Sequence, residues 1–99
     1  SYISTHQNRF LEELFELLRI PTISADGLYK PHMIRGAELV AHHLSKVGVT
    51  NIQILPTDGH PAVFGSLDVD PALPTVLVYG HYDVQPASPE NLWHKPPFE

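Results

Sequence analysis

Cysteine is absent from this chain, so disulfides and thiolate metal sites are excluded. Any metal must be held by His, Asp or Glu. Basic residues are few: six Lys and Arg stand against eleven Asp and Glu, a formal net charge of -5. A basic footprint for nucleic acid is therefore missing. No apolar run approaches the roughly 20 residues of a membrane span. The opening Ser1-Tyr2-Ile3-Ser4-Thr5-His6 has no basic stretch leading into an apolar block, so no signal peptide is read there. With the lack of cysteine, these readings point to a cytoplasmic protein with neither a nucleic-acid nor a membrane partner.

What is present is globular in composition. Hydrophobic residues make up 42% and charged residues 17% of 99 residues, enough for one small domain, or part of a larger one, with a modest core. Ser4-Thr5-His6-Gln7 has the form of a capping box. Behind it, Phe10, Leu11, Leu14, Leu17 and Leu18 recur at helical spacing, which predicts a helix from Thr5 to Ile20 that Pro21 ends. A loop containing Asp26-Gly27 follows. Pro31 suits the first turn of a second helix, whose apolar stripe is Met33, Ala37, Val40, Ala41, Leu44 and Val47, with Gly48 as its C-terminal cap.

Three strand-like runs come next. Asn51 to Leu55 alternates, and Ala62 to Leu67 is a second strand, weakened by Gly65. Between them, Pro56-Thr57-Asp58-Gly59-His60-Pro61 is turn chemistry. Thr75-Val76-Leu77-Val78-Tyr79 is a continuous apolar run, the pattern of a central strand buried on both faces. The order is α-α-β-β-β, an α/β fold. An interior strand needs neighbours on both edges and the chain offers few, so the sheet is expected to be incomplete and its edge to be a template for self-association.

The chemistry is concentrated just past that third run, in Gly80-His81-Tyr82-Asp83-Val84. In open α/β sheets ligands sit beyond the carboxyl ends of the strands. Residues two apart on extended chain share a face, roughly 6.5 Å apart along the backbone. A neutral imidazole is a good zinc ligand, and its other ring nitrogen commonly donates to a carboxylate that fixes the tautomer. His81 and Asp83 could supply such a pair. On its own, His-x-Asp is a weak signal and more often marks a strand-end His and Asp hydrogen-bonded to a turn.

A longer pattern is more specific. Gly80-His81-Tyr82-Asp83-Val84-Gln85-Pro86, followed by Leu92-Trp93-His94-Lys95-Pro96-Pro97-Phe98, resembles the two-zinc peptidase family of glutamate carboxypeptidases, aminoacylases and carnosinase-type dipeptidases. Phe10-Leu11-Glu12-Glu13-Leu14, Ile20-Pro21-Thr22-Ile23-Ser24 and His60-Pro61-Ala62-Val63-Phe64-Gly65 resemble it as well, in the same order along the chain. Tyr82 and Gln85 are more similar to the dipeptidase branch. The resemblance implies that residues 1–99 are the N-terminal portion of a zinc-peptidase-like catalytic domain, without the inserted dimerisation domain. It implies that His81 binds one of two zinc ions and that Asp83 orients it without being a ligand. It implies a peptide substrate, hydrolysed by a zinc-acidified water attacking the amide carbonyl that a metal polarises. The bridging Asp, the Glu pair and the remaining ligands of that family come after the point corresponding to Glu99. The site is thus incomplete here, and the isolated chain is expected to be inactive.

The other six histidines have plainer readings. His42 and His43 are adjacent on a helix, about 100° apart, and cannot chelate together. His6 and His32 lie near helix starts, His60 in a turn and His94 in a Pro-rich tail. Trp93 and Phe98 read as anchors of an irregular loop, and Asp68 and Asp70 as a solvated turn. An alternative from another class is a stand-alone, non-catalytic binding or assembly module built on the same fold start.

Overall fold

In the computed structural model, which describes residues 1–99, helix formation begins at Ser1 and not at Ser4. Ser1 Oγ accepts the Ser4 backbone N–H at 3.3 Å and caps a single turn, α1 (Tyr2–Thr5). Ser1 stands in the same three-residue relation to Ser4 as Ser4 does to Gln7, and the earlier cap adds a turn. His6, at φ -110° and ψ 13°, then breaks the helix, and α2 runs from Gln7 to Leu18. The helix stops ahead of Pro21, as the sequence indicates. Its apolar stripe is covered only in part: Leu11, Leu14, Phe15 and Leu18 all remain exposed.

Asp26 accepts the Leu28 N–H and turns the chain into α3 (Lys30–Lys46), with proline in its first turn. The end of α3 is a complete Schellman motif. Gly48 donates to Ser45 O at 3.2 Å and Val49 to Leu44 O at 3.1 Å. Gly48 takes φ +89°, which a residue with a side chain rarely adopts.

The hairpin of β1 (Thr50–Leu55) and β2 (Ala62–Ser66) is antiparallel, with Gln53 opposite Phe64, Ile54 opposite Val63 and Leu55 opposite Ala62. A bulge near Asn51, at φ 52°, kinks β1. Asn tolerates the left-handed region better than other side chains. Gly65 does not weaken β2 so much as let it close in: a Cβ there would lie 2.6 Å from Val49 Cγ1.

The third expected strand does not form. Residues 75–80 belong to no strand and make no backbone–backbone hydrogen bond. Val76, Leu77, Val78 and Tyr79 are each at least 80% exposed. The pattern for a doubly buried strand is present, but a strand is defined by its partners and none pairs with it in this chain. The sheet is an incomplete, two-stranded one within an α/β arrangement. The molecule measures 53 × 40 × 18 Å with a radius of gyration of 16.0 Å, against about 13 Å for a compact chain of this length.

The core is correspondingly small. Ile20, Thr22 and Ile23 pack with Met33, Gly36 and Ala37 of α3, and these six are the only buried residues. It lies between the segment after α2 and the first half of α3, against the chain that carries His81 and Asp83.

Candidate metal-ligand site

Thr22 is the hub that positions the site. It is 1% exposed. Its carbonyl accepts the Val84 N–H at 2.9 Å, and its Oγ1 donates to Tyr82 O at 2.9 Å. Ile23 and Val84 form a lone parallel bridge. Residues 82 and 84 are thereby fixed to the buried 20–23 segment. Tyr82 lies against α3, its ring 3.3 Å from where a Gly36 Cβ would stand, and its hydroxyl donates to Pro61 O at 2.5 Å.

His81 and Asp83 meet as the sequence suggests. His81 Nδ1 is 2.9 Å from Asp83 Oδ1 and 3.2 Å from Asp83 O. Both partners can only accept, so Nδ1 carries a proton, and in the neutral ring Nε2 keeps the lone pair. The His81 side chain is 77% exposed, so that lone pair is open to a ligand. Asp83 is bound on its other oxygen by Ser24, whose Oγ donates to Oδ2 at 2.5 Å. The Ser24 hydrogen bond, helped by the interactions with His81 and the backbone, outweighs desolvation and holds the Asp83 carboxyl below its usual range. Burial, and secondarily the charge of Asp83, pushes the Tyr82 phenol up.

Three residues here were not singled out as site residues in the sequence. Thr22 and Ser24 appear there only within a longer resemblance. Ser24 is 59 positions from Asp83, a separation at which no local spacing rule operates. His60 lies in its turn, where Thr57 Oγ1 donates to its carbonyl at 2.6 Å. Its ring also reaches across to Ser24: Nε2–H donates to Ser24 O at 2.8 Å, leaving Nδ1 buried without a partner.

The remaining histidines stand apart from this cluster. His43 faces Glu16 of α2 at 3.6 Å, His42 stacks edge-on to His43, and His32 Nδ1 accepts from Arg35 at 2.9 Å. Trp93 anchors its loop on itself, through Nε1–H to Ala87 O at 2.9 Å, and stays half-exposed instead of seating on the core. Asp70 caps its own turn through the Ala72 N–H. His81 Nε2 fits one metal-ligand position, with its tautomer set by Asp83. A catalytic zinc takes three protein ligands, and no group of three or more His, Asp or Glu side chains converges in this chain.

No family model matches the chain. Individual proteins do. It is 37% identical to the Cys-Gly metallodipeptidase DUG1 of Candida albicans, across 91% of this chain and 21% of that protein. It is 34% identical to the corresponding Cys-Gly metallodipeptidase of Schizosaccharomyces pombe, across 97% of this chain and 22% of that protein. The structure of the dipeptidase Dug1p from Saccharomyces cerevisiae superposes with a TM-score of 0.85 at 32% identity, covering 97% of this chain and 22% of Dug1p. The chain therefore spans about a fifth of the length of the relatives it matches. Over that span both the sequence and the fold resemble those of the metallodipeptidases.

Proposed function

We propose that residues 1–99 are the N-terminal portion of the catalytic domain of a zinc-dependent dipeptidase, and supply one corner of its metal site. His81 is the ligand, through Nε2, and Asp83 is the carboxylate that orients it. The observation that carries this is the 2.9 Å contact between His81 Nδ1 and Asp83 Oδ1, which in the neutral ring puts the lone pair on Nε2, on an exposed side chain. Asp83 has both oxygens engaged, one by His81 and one by Ser24, which suits an orienting role better than a ligand's.

The substrate proposed for the complete enzyme is a dipeptide of the Cys-Gly kind, by analogy with the relatives named above. Two zinc ions are proposed for it; when bound, they polarise the scissile carbonyl and acidify the attacking water. The residues of this chain do less. They hold the imidazole in one tautomer and fix its direction from the buried 20–23 segment. The 99-residue chain by itself, with one ligand, is proposed to be inactive. The cytoplasmic location expected from the sequence belongs to the same proposal, as does self-association of the isolated chain through residues 75–79.

A segment exchange tests the reading. This chain replaces the matching fifth of Saccharomyces cerevisiae Dug1p, and hydrolysis of Cys-Gly is followed with added zinc. The chimera is expected to be active, and its His81→Ala form to have lost bound metal and at least about a hundredfold in rate. A folded chimera whose His81→Ala form keeps full metal content and rate would refute the ligand role. Zinc-dependent turnover by the 99-residue chain alone would refute the incomplete site.

A further inference from the structure

We infer that Ser24 is a positioning residue for His81, acting through Asp83 and buttressed by His60; this rests on the reading of His81 Nε2 as a metal ligand. Asp83 sits two residues from His81, at the end of an exposed stretch, and its side chain is 38% exposed. Without Ser24, its carboxylate would be held only by His81, which is 77% exposed, and by its own backbone. Two such exposed side chains would retain much rotamer freedom. Ser24 removes it. The 2.5 Å bond from Ser24 Oγ fixes Oδ2 and leaves Oδ1 aimed at Nδ1.

Ser24 can do this because its own backbone is fixed. It follows Thr22 and Ile23, 1% and 4% exposed, and Ile23 bridges to Val84 beside Asp83. From the other side, His60 Nε2–H holds the Ser24 carbonyl at 2.8 Å. The result is a continuous chain of hydrogen bonds, from His60 to the Ser24 carbonyl and from the Ser24 hydroxyl through Asp83 to His81 Nδ1. It runs from the hairpin turn to the exposed imidazole, and each link restricts the next. The same bond occupies one lone pair of Oδ2 and holds the carboxylate with Oδ1 toward His81.

The test reads the tautomer directly, without metal or substrate. Long-range proton–nitrogen NMR of the ¹⁵N-labelled chain, at about pH 8.5 where an ordinary imidazole is neutral, shows which His81 nitrogen is unprotonated. In the wild type this is expected to be Nε2. In Ser24→Ala the ratio of Nδ1–H to Nε2–H forms is expected to fall about fivefold, which corresponds to about 1 kcal/mol, one hydrogen bond. Ser24→Thr, which keeps the hydroxyl, is expected to restore it. Should Ser24→Ala lose the native amide spectrum, Ser24→Cys replaces it, with a donor of similar size but weaker strength. A wild-type His81 in the Nε2–H form would overturn the ligand reading itself. A wild-type Nδ1–H form left unchanged by Ser24→Ala or Ser24→Cys would overturn the role of Ser24 alone.

Discussion

Replacing Gly36 by alanine tests whether the core and the site are one structure. Alanine is favoured over glycine inside a helix by about 1 kcal/mol, so on propensity alone the change stabilises α3. The surroundings oppose it. The new Cβ would lie 2.5 Å from Thr22 Cγ2 and 3.3 Å from Tyr82 Cδ2, where carbon atoms ordinarily sit about 3.5–4 Å apart. Thr22 must therefore move by about 1 Å, and it is not free to do so. It is 1% exposed, and its hydroxyl and carbonyl hold Tyr82 O and the Val84 N–H. Overpacking costs about 1–3 kcal/mol, and loss of the Thr22–Tyr82 bond adds about 0.5–1.5 kcal/mol. Against the helical gain, the net is a destabilisation of roughly 2 kcal/mol. Urea denaturation followed by circular dichroism measures it. Exchange of the Val84 amide locates it, with an expected loss of protection of about thirtyfold. Gly27→Ala is the control, since nothing lies within 4 Å of its added Cβ, and it should change stability by less than about 0.5 kcal/mol. A Gly36→Ala chain that gains the full helical increment, with Val84 exchange unaltered, would refute the packing of Thr22 and Tyr82 on α3.

Acid should release the site through Asp83. Its folded carboxyl titrates below its unfolded value, so its contribution is complete above about pH 4 and is lost as pH falls through the lower, folded value. A melting-temperature profile of Asp83→Asn should therefore be flatter than that of the wild type below about pH 4; parallel profiles would contradict the Ser24 and His81 bonds. Tyr82→Phe removes the bond to Pro61 O and should cost about 0.5–1.5 kcal/mol in urea. In ultraviolet titration Tyr82 should ionise above the ordinary phenol range, because burial raises its pKa. Leu77→Lys should move the isolated chain towards monomer in sedimentation velocity, since a charge on an open apolar edge opposes pairing. An unchanged sedimentation profile would place self-association elsewhere or nowhere.

The helices were legible in the sequence because their determinants are local. Pro21 ends one, Pro31 opens the next and Gly48 closes it, each through its own backbone geometry. The hairpin was legible for the same reason. The start of the first helix was misplaced at Ser4 because two serines at the same spacing compete for the cap. The His81–Asp83 pair was also readable, since two positions on extended chain set their distance without help. What the sequence could not decide was anything that depends on a distant partner. The apolar run at 75–79 has the pattern of a central strand, yet pairing requires neighbours and it has none here. The link from Ser24 to Asp83 spans 59 residues, and the reach of His60 to Ser24 spans 36. Local chemistry determined which residues could form a ligand and its carboxylate; only the packing of the 20–24 segment on α3 decided what holds them in place.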